Sequence, residues 1–474
     1  MERKNGRYLL DILLLLLMGA LLYYGVFWKN LDVQSGAEND SDVAKYACYA
    51  VAFWHGQAAT EALPAAQCSF LAHPTAPSLS QGQIVQSMKQ HGLPDQLVQF
   101  VANQSATQPL HALPHEYPLL TLLPFSLGLV VPYDWYLVAF ALWMIIFIVA
   151  VYFVLKRFTS HGAAYAFALY MVVGCWATGA GRFDILPSAL TLLAILCAKR
   201  TRWRWAFALL AIATLLKFYP VVLLVPFFIA QQAQFKERWY AWSRFVALGV
   251  FVAICAVVTG ISLLLSVEGT FAPLGYFGTR PIQLESSLAS LVEVLSALFG
   301  KAITYQFSFG SRNILSPLSS DVTLLGTVVL IGGLLYTFWL QWRAKIGLAL
   351  ACLLTLLIVM LTGKVFSAQY LIWVAPLVAY VGRANWRWLV SWGSVCLLTT
   401  VIYPFLYEPN KFPFGALLPP FSATVLVRNV LLLLFTCALL FAASCNRRQE
   451  SARKLPEDDT AQLVSPERDK QKLH

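Results

Sequence analysis

The sequence predicts an all-α, polytopic helical integral membrane protein of about 10–13 transmembrane helices. Three observations carry that expectation. The first is composition: of 474 residues, 59% are hydrophobic and 12% are charged, whereas soluble domains carry about 25% charged residues. The second is run length. The apolar stretches are continuous, unlike the roughly ten-residue alternating strands of a membrane barrel. Helices therefore satisfy the backbone in lipid. The third is the placement of basic residues, which separates the connecting loops into two sides.

The first apolar run, "YLLDILLLLLMGALLYYGVFW", follows "MERKNGR". It is long enough to span and is read as a retained anchor over 1–28, not a removed signal peptide. Further apolar spans fall near 135–155, 162–180, 183–198, 205–218, 220–232, 245–266, 322–341, 346–362, 366–382, 388–405 and 422–443. Several are shorter than a straight crossing needs. The segments 183–198, 205–218 and 220–232 read as broken or tilted helices.

Of the 34 Lys and Arg residues, 23 fall on the side that holds both termini. They include Lys156, Arg157, Lys199, Arg200, Arg343, Lys345, Arg383 and the basic residues of the tail. By the positive-inside rule that side is cytoplasmic. The formal net charge of +11 then reflects loops held at anionic headgroups, not nucleic-acid binding.

Two long segments face outward on this topology. Residues 29–134 form a first extracytoplasmic loop and 267–321 a second, with transmembrane helices over 135–266 and 322–443. The tail 444–474 is charged, aperiodic and expected to be disordered. Within the first loop, "SDVAKYACYAVAFWHG" has helical apolar spacing and reads as a helix lying along the membrane surface. "PLLTLLPFSLGLVV" is too short to span and reads as a re-entrant piece, tolerated only if buried in protein. The nine cysteines show no metal spacing. Cys48 and Cys68 share the first loop and can pair if it lies outside the cytoplasm; the sequence leaves that open.

Ionisable groups at membrane depth are expensive and usually functional. Those at outer helix ends without an anchoring role are Glu38, Asp40, Asp42, His115, Glu116, Arg182, Asp184, Lys217, Arg280, Glu285 and Lys364. Each has an ordinary reading. Asp40 and Asp42 suit a solvated loop. Arg182 suits an ion pair with Asp184, and Arg280 one with Glu285. Lys217 and Lys364 suit snorkelling. Yet all of them fall on one face, which points to a single extracytoplasmic cavity holding acids and bases.

Glycosyl transfer from a lipid-phosphate sugar uses such a cavity. The departing phosphate needs Lys or Arg, and the acceptor hydroxyl needs a carboxylate base. One base and one in-line attack invert the anomeric centre. A secondary transporter or lipid flippase for an anion is the alternative, although no internal repeat is visible.

Four motifs bear on that choice: "DSD" (Asp40, Ser41, Asp42), "HEYPLL" from His115, "GRFDILPSALTLLAILCAKR" followed by "LLKFYPVVLLVP", and "GKVFSAQYLIWVAPL" from Gly363. Together they resemble the GT-C superfamily of membrane glycosyltransferases. The likeness is to bacterial polyprenyl-phosphate-mannose-dependent transferases of the family 87 type and to the catalytic subunit of GPI mannosyltransferase I. The sequence departs from their pattern where acidic residues stand in "GRFDIL" and Ala stands in "SAQY".

The resemblance implies a GT-C fold, a mannosyl or other hexosyl transfer, a polyprenyl-phosphate-mannose-like donor, and a glycan or glycolipid acceptor. It implies a multi-pass protein of the bacterial plasma membrane, or of the endoplasmic reticulum in a eukaryote, with an extracytoplasmic active site. Asp42 or Asp40 would be the catalytic carboxylate, and Lys364 and Gln369 would face the donor phosphate. Charge and side add Arg280 and Lys217 to the phosphate group, and Glu116, Tyr117, Arg182, Asp184 and Glu285 to the cavity. A monophosphate donor does not require a metal; Asp40 and Asp42 would hold Mg or Mn if one is used.

Overall fold

A computed structural model describes residues 2–28, 42–63, 67–71, 80–105, 107–235, 238, 240–406 and 420–445. Glu38, Asp40 and the tail from 446 lie outside them, as do the expectations that fall there. The described chain is a helical bundle. Six of its helices are long and apolar enough to cross a membrane: Tyr8–Phe27, Tyr133–Phe158, Val246–Leu265, Ser319–Trp342, Trp386–Phe405 and Phe421–Cys445. Shorter apolar helices fill the remaining expected spans.

Burial sorts the helices by their neighbours. In Val246–Leu265 only Ala247, Phe251 and Ser262 are buried, so most of its apolar surface faces outward. Leu348–Thr362 and Tyr370–Gly382 are buried on nearly every face, as expected of helices that are apolar all round. Tyr370–Gly382 packs on His161–Gly174 and Ile185–Lys199, and His161–Gly174 packs on Trp386–Thr400. Gly174 permits that last crossing, because a Cβ there would come within 2.7 Å of the Cβ of Cys396. Small residues allow such close approach between membrane helices.

Chain breaks aim polar residues inward. Trp203–Leu216 stops at Lys217, which is extended at φ −158° and ψ 133°. Pro220 follows within a tight turn over Tyr219–Leu223. Pro220 has no amide to reach the carbonyl of Leu216 four residues back, and its ring would clash with it, so "KFYP" interrupts what the apolar pattern alone would continue. The expected breaks near 205–218 and 220–232 are present.

One expectation is corrected. The helix Asp42–His55 does not lie on a membrane surface. Val43, Ala44, Tyr46, Ala47, Cys48, Tyr49, Ala50, Ala52 and Phe53 are buried, because its small residues let it pack against Leu122–Ser126 and Tyr136–Phe158. The segment 267–321, expected as a loop, holds helices and a short sheet. A three-stranded antiparallel sheet, ordered β1-β3-β2, joins Ile282–Gln283 (β1), Thr304–Ser308 (β2) and Ser311–Leu315 (β3), with Gln283 opposite Asn313. Residues 119–130 form short helical turns with Thr121, Leu122, Pro124, Phe125 and Gly128 buried.

Candidate active site

Asp42 is the first residue of its helix, where the helix dipole favours an anion. Its carboxylate is met by the Arg182 guanidinium. Arg182 lies in the turn between His161–Gly174 and Ile185–Lys199. Two residues on, Asp184 is fully buried. Its Oδ1 lies 2.6 Å from the Lys217 ammonium and also accepts from the indole of Trp373. Arg182 and Asp184 therefore do not form the simple pair expected of neighbours. Each takes a partner from a distant segment, because successive turn residues point to different sides of the helix end.

Aromatic rings close around Lys217. Its Nζ lies 5.1 Å from the centroid of Phe183, 5.4 Å from Trp373 and 5.9 Å from Tyr117. Such rings attract a desolvated cation. Trp373 is stacked between Tyr219 at 4.1 Å and Tyr370 at 3.7 Å. Tyr117 packs edge-on against Phe183 and Tyr46. Burial raises the pKa of the Tyr117 hydroxyl, and the neighbouring Tyr46, Glu116, Tyr276 and Asp184 push the same way. The same physics holds Tyr276 protonated: burial and then Glu116 raise it, against Arg280 and Arg182.

Arg280 donates from Nη2 to Ser311 Oγ at 3.1 Å and lies over the Tyr276 ring. The Tyr276 hydroxyl donates to the carbonyl of Phe309 at 3.1 Å. The hairpin β2-β3 is thereby tied to the site. Lys364 joins through its backbone, whose carbonyl accepts from Gln283 N at 2.8 Å. Gln369 immediately precedes the helix Tyr370–Gly382. Buried polar atoms here without a hydrogen-bond partner include Asp184 Oδ2, Arg280 Nε, Gln283 Oε1 and Gln369 Oε1. Native interiors leave few such atoms, and they concentrate where a ligand or water is needed.

Glu285, also proposed from the sequence, lies on a neighbouring loop. It is buried in a second core with Ile282, Leu284, Leu288 and Ile314, and its carbonyl accepts from Arg428 Nη2 at 2.6 Å. Arg428 was singled out by none of the sequence arguments. It is fully buried in the last helix, donates from Nε to Asn429 Oδ1 at 2.8 Å and stacks 4.0 Å from the Phe366 centroid. Phe366 belongs to the Lys364–Gln369 segment, so Arg428 clamps two site-bearing loops together. An Arg-Asn pair inside an apolar run was the available signal. Asp11, in the first helix, was also passed over. It is buried, accepts from the Tyr152 hydroxyl at 2.6 Å and pairs with Lys156.

Cys48 and Cys68 form a disulfide with Cα atoms 5.6 Å apart, a geometry that needs no backbone movement. The described residues contain no group of three or more His, Cys, Asp or Glu suited to a metal ion, and Asp42 already faces a guanidinium. Asp40, the other carboxylate expected to hold a metal if one is used, lies outside the described residues.

Apolar crossings enclosing paired charges define a polytopic membrane protein with a polar site among its helix ends. The model of glycosyltransferase family 87 matches residues 115–368, more than half of the chain. The chain belongs to that family and is a membrane glycosyltransferase. The match contains Glu116, Tyr117, Arg182, Asp184, Lys217, Arg280, Glu285 and Lys364; Asp40, Asp42 and Gln369 lie beyond its ends. No curated protein matches the chain. The family assignment lends no support to a transporter or flippase.

Proposed function

We propose that this glycosyltransferase moves a hexose, mannose in the first instance, from a polyprenyl-phosphate donor to an extracytoplasmic glycan or glycolipid acceptor, inverting the anomeric centre. The observation that carries the reading is the meeting of Asp42 with Arg182 beside the Asp184–Lys217 pair. Acids and cations from segments far apart in the chain share one site.

In this reading Asp42 takes the proton of the acceptor hydroxyl as that oxygen attacks the sugar C1. The bond from C1 to the phosphate oxygen breaks, and the lipid phosphate leaves with the electron pair. Arg182 keeps Asp42 ionised and oriented until the acceptor arrives. Lys217 is already neutralised by Asp184, so the phosphate falls to Arg280 and Lys364. Unpartnered Arg280 Nε and Gln369 Oε1 suit a polar ligand at that end. Protein cations then serve in place of Mg or Mn. The Cys48–Cys68 bridge supports an outer location, since disulfides persist in oxidising compartments.

The test is transfer from polyprenyl-phosphate-mannose by purified protein in detergent. Asp42→Asn is expected to lower the rate about 10²- to 10⁴-fold, the range of a general base. Asp40→Asn, measured beside it, separates the two carboxylates. Wild-type rates in both variants would remove the base from this segment. A donor other than a lipid monophosphate would overturn the substrate assignment alone.

A further inference from the structure

Lys45 stands one turn after Asp42 in the helix Asp42–His55, and residues three apart on a helix are neighbours on its surface. We propose that Lys45 is a further donor-binding residue, holding the phosphate of the lipid-linked sugar together with Arg280. The inference rests on the donor class proposed above. Lys45 is half-buried, and its Nζ lies 5.8 Å from the ring centroid of Phe70. Among the described residues no carboxylate pairs with it. Asp42, the one acid in that helix, is taken by Arg182 instead. Charges withdrawn from water are normally paired. Lys45 has a ring beside it and no anion, so an anionic ligand completes its surroundings.

The ammonium reaches the turn that joins β2 to β3. A Cβ on Gly310 would come within 3.5 Å of Lys45 Nζ, and the next residue, Ser311, receives Arg280 Nη2 at 3.1 Å. Two cations from distant segments therefore meet at consecutive residues of one turn. Phe309 and Gly310 both have positive φ, 55° and 64°. Asn-Gly is the pair that such a two-residue turn favours, and a bulky residue adopts that conformation only at a cost. Phe309 does so with its ring 5.2 Å from that of Tyr276 and its carbonyl accepting from the Tyr276 hydroxyl. The turn is thereby tied to the residues of the site. Arg280 Nε is buried and has no hydrogen-bond partner. A phosphate offers acceptor oxygens to both side chains. The donor is a phosphodiester with one negative charge. When its bond to C1 breaks, the oxygen keeps the electron pair and the phosphate gains a second charge. A cation already in place stabilises that charge as it develops.

The experiment is binding of farnesyl phosphate and of farnesol to the full chain in detergent, each followed by thermal-shift titration, for wild type, Lys45→Met and Lys45→Arg. Farnesyl phosphate stands for the released lipid phosphate with a shortened tail, so the readout needs no sugar transfer. Wild type is expected to bind farnesyl phosphate more tightly than farnesol. Lys45→Met should weaken farnesyl phosphate roughly ten- to a hundredfold, the range of one hydrogen bond to a charged group, and leave farnesol unchanged. Lys45→Arg should recover most of the loss. Wild-type affinity for farnesyl phosphate in Lys45→Met would overturn the assignment. Equal weakening of both ligands would mark a packing role and overturn it too. No preference for the phosphate in wild type would overturn the donor class itself, and the assignment of Lys45 with it. Lys45→Gln, which keeps a polar end, carries the same comparison if Lys45→Met does not fold.

Discussion

The Lys217 ammonium lies 2.6 Å from Asp184 Oδ1 at the point where the chain breaks between two membrane helices. Asp184 has no exposed surface. A buried charge without a partner is far more costly than a buried pair. Lys217→Met is therefore expected to destabilise the protein by about 3–5 kcal/mol, read as a fall in thermal unfolding temperature in detergent. Lys217→Met/Asp184→Asn should recover part of that loss. Wild-type stability in the single variant would show that the pair does not hold the break.

Arg280 and Lys364 are the cations assigned to the leaving phosphate. Arg280→Met and Lys364→Met are each expected to lower kcat/KM roughly ten- to a hundredfold, the worth of one hydrogen bond to a charged group. Arg280→Lys should lie between, because a point charge lacks the guanidinium fork. If the loss appears in Lys217→Met at matched stability and in neither of these, the phosphate lies at Lys217 instead.

Arg428 ties the last helix to the carbonyl of Glu285 and to the ring of Phe366. Arg428→Ala removes a charged donor and a stacked cation together. The expected loss is about 2–4 kcal/mol of stability, with sugar transfer reduced because the Lys364–Gln369 segment loses its support. Arg428→Lys keeps the charge and should restore only part of both. Full activity and stability in Arg428→Ala would sever the link between this helix and the site.

The bridge between Cys48 and Cys68 closes a separation of 20 residues. Cys48→Ser/Cys68→Ser should lower stability by about 3 kcal/mol on the loop-entropy account, checked by thermal unfolding. In membranes prepared without reductant, neither thiol should react with a maleimide. Reaction of both would place the loop in a reducing compartment and reverse the orientation assigned from basic residues.

Much of this was legible from local pattern. Twelve apolar stretches have helical counterparts, the break at "KFYP" follows from a proline two residues downstream of Phe218, and the short stretch before Val131 folds as buried turns. Charge placement grouped Glu38, Asp40, Asp42, His115, Glu116, Arg182, Asp184, Lys217, Arg280, Glu285 and Lys364. Pairing was not legible in the same way. Arg182 and Asp184 are neighbours in sequence, yet one meets Asp42 and the other Lys217. Glu285 is buried, and its carbonyl accepts from Arg428, a residue no sequence argument had linked to it. The helix after Asp42 has the spacing of a surface helix, and protein covers it on both faces.

Periodicity and composition therefore determined the class of protein, the extent of its helices and the face on which its charges gather, because those depend on residues near one another in the chain. Which acid meets which cation was decided only when distant helix ends packed together. So was the seating of Arg428 against Phe366. Those contacts depend on the crossing and rotation of helices, set by packing across the whole bundle.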